Sequence, residues 1–256
     1  MSKYFEMMQQ SGLARDFSST SRSDDLSDAS TETKARKPLR TPELVNDDWL
    51  FLEECRNLVD QIFLADRAEE RREVVFAGVD RGNGCSRICA DTARVLAHNT
   101  SGSVCLVDAN LRSPSLADFF GVPNHYGLTD ALVEPEPVRH FTTQLGQDNL
   151  WLLSAGSSSA NSSGAMNSPR LKTRFAELRK EFDFVLIDTP PLTQYADAGV
   201  LARFADGLVV VLEANSTRRE SALKEIQSLR QSNVQVLGAV LNKRTFPIPQ
   251  SVYDKL

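Results

Sequence analysis

Five short aliphatic runs, VVFAGV, SVCLVDA, FVLIDTP, GLVVVLEA and VQVLGAVLN, recur along the second two-thirds of the chain. Between them lie ICADTARVLAHN, SPRLKTRFAELRKEF, AGVLARFA and RRESALKEIQSLR, whose apolar residues fall at helical spacing. Val, Leu and Ile in unbroken runs, rather than in alternation with polar residues, suit strands covered on both faces. Strands that alternate with helices build a parallel sheet between two helical layers. The expectation is an α/β fold: a doubly wound, mostly parallel sheet with helices on both faces. NLWLLSAG adds a further strand. Ligands of such sheets bind at the carboxyl ends of the strands, so residues that close the aliphatic runs are the first candidates for chemistry.

The first part of the chain is different. DFSSTSRSDDLSDASTETKARKP is Ser-rich and charged, with almost no aliphatic residues. Such a segment cannot bury enough apolar area to offset its ordering entropy. Residues 1–42 therefore read as a disordered tail. Within it KYFEMMQQSGLA, with Phe5, Met8 and Leu13 on one side, is either a short docking helix or a frayed end. WLFLEECRNLVDQIFLADR then gives one helix between Glu43 and Arg67 that opens a domain running over 43–256. Hydrophobic residues make up 41% of the chain, enough for a core, and the net charge of -5 argues against binding nucleic acid through a basic surface. No apolar run is long enough to span a bilayer and the first residues lack a secretory signal, so the expected location is the cytoplasm. The four cysteines, Cys55, Cys85, Cys89 and Cys105, read as reduced, mostly buried thiols. A zinc site at Cys85 and Cys89 would need further ligands, and the nearest histidine is His98.

Three strand ends carry candidate chemistry. AGVDRGNGCSR follows the run EVVF and precedes a helix, the order of a phosphate-binding loop. Gly82 and Gly84 permit positive φ and close backbone approach. Gly82, Asn83, Gly84, Cys85, Ser86 and Arg87 form the cradle, with the helix start favouring an anion and the Ser86 hydroxyl placed to hold magnesium. Such loops close on Gly-Lys-Ser/Thr, whereas this one has a thiol, Cys85, in the lysine's place. Asp108 ends the strand in CLVDANLRSPSL, and Asp188 ends the strand in FDFVLIDTPPL ahead of the rigid Pro190-Pro191 turn. Each aspartate alone is either a metal-site carboxylate or an ordinary strand-end cap. Ser86, Asp108 and Asp188 together come in the order a magnesium-nucleotide site requires. Asn242, at the end of VLGAVLN, either reads a base edge or caps a turn. Arg81, Arg87 and Arg112 are either solvated or within reach of the phosphates.

Taken together, GNGCS, CLVDANLRSPSL with FFGV, the segment Gly127 to Leu132, FDFVLIDTPPL, ADAGVLARFADGLVVVLEANSTRRE and VLGAVLNKR resemble the bacterial tyrosine kinases. These Wzc/CapB/CpsD-type P-loop proteins serve capsule and exopolysaccharide synthesis and are related to the MinD/ParA ATPases. The likeness runs from about Leu52 to the C-terminus. It implies a P-loop NTPase fold, ATP or ADP with Mg2+ as cofactors, Asp108 as a catalytic, metal-linked carboxylate and Asp188 near the metal. It also implies a cytosolic protein working on a membrane-embedded polysaccharide chain-length or export partner, recruited by it to the inner membrane face, with possible homo-oligomers.

Three family features are altered. Cys85 replaces the loop lysine; Val59 stands where the upstream Glu-x-x-Arg-x-x-Arg pattern, matched here by Glu53 and Arg56, has its last arginine; Tyr253 stands alone where the family has a tyrosine cluster as phosphoacceptor. Losing one charge-assisted hydrogen bond weakens binding roughly 10- to 150-fold, and losing one preorganised donor slows the chemistry by about 10²–10³. The expectation is a weak kinase or a pseudokinase that retains weak nucleotide binding, with Asp108, Asp188 and Arg112 as the catalytic residues. An active MinD/ParA-like ATPase and a scaffold that binds no nucleotide are the alternatives. Cys85, at a helix start, is either an activated, redox-sensitive thiol or a neutral space filler.

Overall fold

The computed structural model of the chain describes residues 46–65, 71–146, 149–156 and 162–244. The Ser-rich tail with its candidate helix, the start of the 43–256 domain and Tyr253 lie outside the described residues. Seven strands form one sheet: β1 (Glu73–Gly78), β2 (Val104–Asp108), β3 (Thr143–Gln144), β4 (Leu150–Leu153), β5 (Phe184–Thr189), β6 (Gly207–Glu213) and β7 (Val236–Asn242). Their order is β3-β4-β2-β5-β1-β6-β7. All neighbours pair in parallel except β3, which runs antiparallel to β4. The helices are α1 (Asn46–Val59), α2 (Cys85–Asn99), α3 (Leu116–Phe120), α4 (Leu128–Ala131), α5 (Ser162–Ala165), α6 (Leu171–Glu181), α7 (Asp197–Leu201) and α8 (Arg219–Gln231).

Strand periodicity divides the core into two layers. Val74 and Phe76 of β1, Leu106 of β2, Leu186 of β5 and Val209 of β6 pack with Ile88, Cys89, Ala93 and Leu96 of α2 and Val59 of α1. Their chain neighbours Val75, Ala77, Val107, Ile187 and Val210 face the other way, onto Phe175 and Leu178 of α6, Leu201 of α7 and Leu229 of α8. Both faces of the central strands are thus dry, as unbroken aliphatic runs require. β7 departs from that expectation: as an edge strand it has only partly buried and exposed residues, with Leu241 at 55% exposure. β3 carries no aliphatic run at all, and exists because Thr143 and Gln144 pair with Leu152 and Trp151. The helix expected over 43–67 is α1 followed by a π-helical turn, Asp60–Leu64, that buries Ile62 and Phe63, and Phe63 meets Phe184 edge-on at 6.0 Å.

The two ends of the sheet are built differently. At the amino end, the Asp206 carboxylate accepts the backbone N–H of Arg72 (2.7 Å) and Glu73 (2.9 Å), and the Arg179 guanidinium bridges Glu73 (2.8 Å) and Asp206 (3.0 Å). Those charges are spent on structure. At the carboxyl end, the chain leaves β1 for β2 on one side while β6 and β7 lie on the other, so a crevice opens above β1.

Leu186 is fully buried in the middle of the sheet. Leu186→Ala is expected to lower stability by about 2–5 kcal/mol through lost transfer energy and the cavity left behind. Urea unfolding checks this: the midpoint falls while the m-value stays unchanged.

Candidate functional site

The loop after β1 is pinned from three directions. Its backbone is tied to the Pro190-Pro191 turn, with Leu192 N donating to Gly78 O (2.9 Å) and Thr193 N to Val79 O (3.1 Å). Inside the loop, Asp80 N donates to the Asn83 side-chain oxygen (2.6 Å). From the far side, Asn242 Nδ2 donates to Asn83 O (2.8 Å). Gly82 and Gly84 have φ of 88° and 81°, the left-handed region that glycine adopts without a Cβ penalty. A Cβ on Gly84 would also run into the Asn242 amide, so this close approach excludes any side chain. Gly84 is the N-cap of α2, and its carbonyl accepts the first helical bond from Ile88 N (3.1 Å). The free N–H groups of the first turn and the positive end of the helix therefore face the crevice.

Beneath the loop lie the two aspartates. Asp108 and Asp188 are register partners on adjacent strands, so their side chains stand next to each other on the α2 face. Both are fully buried. Ser86 Oγ donates to Asp188 Oδ2 at 2.6 Å, whereas Asp188 Oδ1 is buried with no hydrogen-bond partner. Asp108 is held in place by backbone N–H groups: Asn110 to Oδ1 (3.2 Å), Ser115 and Leu116 to Oδ2 (both 3.0 Å). Burial pushes the Asp188 carboxyl up to about 7, and the neighbouring Asp108 charge adds to the shift, against the bonds from the Ser86 hydroxyl, the Cys85 thiol and the Thr189 backbone. Burial likewise lifts Asp108 to about 6 against the three backbone donors. An orphaned, buried carboxylate oxygen beside a serine hydroxyl is the kind of hard oxygen site that suits Mg2+. Ser86 and Asp188 fit that ion, with Asp108 fixed alongside.

Cys85 does not point toward thiolate chemistry. Burial, and then the Asp188 carboxylate, raise its pKa well above the ordinary thiol value, and the side chain packs against the α2-side core. Cys89 is shifted the same way for the same reasons. Both are protonated, neutral groups at physiological pH.

The remaining candidates are placed as follows. Arg87 runs along α2, with Nε 3.5 Å from Asp91 and its guanidinium 5.3 Å from the Phe51 ring centre. Arg112 reaches Asp197 (3.6 Å) and stacks over the Tyr195 ring at 4.1 Å. Both ends of the Asn242 amide are engaged, Nδ2 with Asn83 and Oδ1 with the backbone N–H of Lys243 (2.8 Å). Several contacts at the loop were not anticipated from sequence. Asn83 Nδ2 donates to Thr217 Oγ1 (3.3 Å) and Glu213 Oε2 (3.5 Å); Lys243 Nζ donates to Gly82 O (2.7 Å) and pairs with Glu213 Oε1 (3.2 Å); Thr193 Oγ1 donates to Val79 O (2.9 Å). Glu213 and Lys243 each close or follow an aliphatic run, and that position was the available signal.

Comparison with known proteins agrees with this architecture. A ParA family model, described as NUBPL iron-transfer P-loop NTPase, matches residues 72–254. Tyrosine-protein kinase YwqD of Bacillus subtilis is 30% identical over 190 residues, covering 74% of this chain and 80% of YwqD. The CapB protein of Staphylococcus aureus is 28% identical over 201 residues, covering 78% of this chain and 88% of CapB. Tyrosine-protein kinase Wzc of Salmonella typhimurium is 26% identical over 193 residues, which is 75% of this chain but 27% of Wzc. Among solved structures, the chimerical protein CapA2B2 superposes with a TM-score of 0.71 at 24% identity, over 76% of this chain and 85% of that one. The BceF tyrosine kinase domain superposes with a TM-score of 0.66 at 28% identity, over 75% of this chain and 77% of that one.

The raised aspartates make stability depend on pH. Both carboxyls titrate higher folded than unfolded, so their contribution is fully present at low pH and is lost as pH rises through about 6 to about 7. In metal-free buffer the thermal midpoint is expected to fall between about pH 4 and about pH 7, and Asp188→Asn should flatten that fall. A wild-type midpoint that holds constant or rises across the window contradicts the assignment.

Proposed function

Because the chain belongs to the ParA-type P-loop proteins, within the bacterial tyrosine kinases of capsule and exopolysaccharide synthesis, we propose that it is a kinase-like, nucleotide-binding regulator of polysaccharide synthesis or export whose own phosphotransfer is weak or lost. The observation that carries this reading is Asp188, buried beneath a glycine loop with one oxygen on Ser86 (2.6 Å) and the other without a partner. A nucleotide diphosphate or triphosphate with Mg2+ would occupy that crevice. The amides of Gly82 to Ser86 take the phosphates, Ser86 and Asp188 hold the metal, and Asp108 stands fixed beside them. Bound Mg2+ supplies charge neutralisation for the phosphate chain.

Two features support a weakened catalyst. Cys85 offers no charge to a transferring phosphoryl group, and its raised pKa keeps it neutral. Arg112, the cation closest in sequence to Asp108, is engaged with Asp197 and Tyr195. The first helix departs from the family pattern as well. Glu53 is exposed and Arg56 partly so, but Val59, where the family pattern has a second arginine, is buried against the core. That position has been given to packing.

The Wzc match bears on the partner, since most of that longer relative lies outside the match. On this reading the nucleotide-binding domain acts together with a membrane-embedded polysaccharide chain-length or export protein, through that protein's cytosolic segment. No helix among the described residues is long and apolar enough to cross a membrane itself.

Calorimetry with ADP and Mg2+ tests the nucleotide reading. Weak binding by wild type, tightened roughly 10- to 150-fold in Cys85→Lys, is the expected result. No heat from either protein at millimolar ligand would refute it. Labelled ATP tests the catalytic part: rates about 10²–10³ below those of the Cys85→Lys variant are expected. Equal, rapid labelling of Tyr253 in both proteins would show that wild type is a competent kinase.

A further inference from the structure

We infer that Lys243, from the end of β7, supplies the phosphate-binding charge that position 85 of the loop lacks; this rests on the nucleotide reading above and names a residue for that site. A loop that holds a polyphosphate with backbone N–H groups alone leaves most of the ligand's negative charge uncompensated. Two buried carboxylates directly below it make matters worse, since they repel the same ligand. Mg2+ offsets part of that repulsion, and in P-loops of the usual composition a lysine offsets more. Here that position is a neutral thiol packed against the core.

The structure sets another ammonium on the loop. Lys243 Nζ donates to the Gly82 carbonyl at 2.7 Å, reaching over the end of β6 to do so, since β6 lies between β1 and β7. The path is built. Lys243 has φ of 56°, a left-handed conformation that is unfavourable for a residue with a Cβ. That turn is stabilised by Lys243 N donating to Asn242 Oδ1 (2.8 Å), while the same Asn242 holds Asn83 through Nδ2 (2.8 Å). Glu213, at the end of β6, meets the ammonium at 3.2 Å and orients it. An ammonium has three donors. Gly82 and Glu213 take two, and the side chain is 49% exposed, which leaves a donor for an anion entering over Gly82. The arrangement also explains why Asn83 is buried: Glu213, Thr217 and Asn242 converge on it, so loop and lysine form one unit.

A lysine that merely ties the loop down would have the same contacts, so the test must separate charge from anchoring. Lys243→Gln keeps a donor for the Gly82 carbonyl and removes the charge; Lys243→Arg keeps the charge. Full-length wild type, each variant, and each variant in a Cys85→Lys background are titrated with ADP and Mg2+, and thermal unfolding without nucleotide confirms that each folds. The expected result is a loss of about 10-fold or more for Lys243→Gln, a loss of less than about 3-fold for Lys243→Arg, and a loss of less than about 3-fold for Lys243→Gln when Cys85→Lys is present, because two cations serving one phosphate chain are not additive. Wild-type affinity in Lys243→Gln, or the same loss in both backgrounds, overturns the assignment and leaves the nucleotide site standing. Binding by Cys85→Lys with none by wild type also overturns it, since Lys243 would then supply nothing. Absence of binding by both refutes the nucleotide reading itself, and this inference with it. If Lys243→Gln unfolds, Lys243→Met with the same two backgrounds gives the same discrimination.

Discussion

Two carboxylates stand side by side at the dry end of a sheet, and the rest of the site is arranged around that fact. Asp108 and Asp188 are register partners with no exposure to solvent. Charging both in a low-dielectric interior is unfavourable, which is why both titrate high. The chain treats them unequally. Asp108 receives three backbone N–H donors, enough to stabilise its anion where it is. Asp188 receives the Ser86 hydroxyl on Oδ2, with the Cys85 thiol a weaker donor to the same carboxyl, and its Oδ1 has no conventional hydrogen-bond partner. An unpaired buried acceptor costs about 1–3 kcal/mol, more when charged, so it persists only where something else stabilises the fold or a ligand completes it. At the amino end of the same sheet Glu73 also keeps one buried oxygen without a partner, but there the Arg179 guanidinium bridges Glu73 and Asp206 and supplies a counter-charge from within the chain.

The glycine loop follows from the same constraint. The loop lies above Asp188, so to hold a phosphate beside that carboxyl it must be open enough to admit one and firm enough to keep its shape. Left-handed Gly82 and Gly84 give the backbone its curve, and the ends of β5, β6 and β7 hold it from outside through Thr193, Glu213 and Asn242. Three strands from separate parts of the sequence thus fix one short turn. β7, poorly buried as a strand, is retained in the sheet by six register pairs with β6, and what it delivers is its end: Asn242 and Lys243.

Much of this was legible in the chain. Aliphatic runs located the central strands, because a strand covered on both faces has no choice of composition. Asp108 and Asp188 at the ends of two such runs gave the carboxylates, and the glycines gave the loop. The rest was hidden for definite reasons. β3 has no side-chain signal, since it forms by pairing with β4 rather than by burying anything. β7 looks like a central strand in sequence because neighbours, not composition, decide what covers it. The directions of Arg87 and Arg112 could not be read, because a long side chain chooses among partners that only the tertiary fold assembles: Asp91 and Phe51 for one, Asp197 and Tyr195 for the other. Lys243 was hidden for the same reason in reverse. Nothing in the tripeptide Asn-Lys-Arg tells that its lysine crosses a strand to the loop.

The positions where this chain departs from its relatives share a physical direction. At 85, where the resemblance implies a lysine, stands a thiol that packs against the α2-side core, and at 59, where it implies an arginine, stands a valine with no solvent exposure. Both side chains interact with the domain's own interior. Burying such groups is favourable by roughly 25 cal/mol per Å2 of apolar surface, a gain that is present whether or not a ligand is bound. The retained pair of aspartates and the clamp on the loop argue that the crevice still has an occupant.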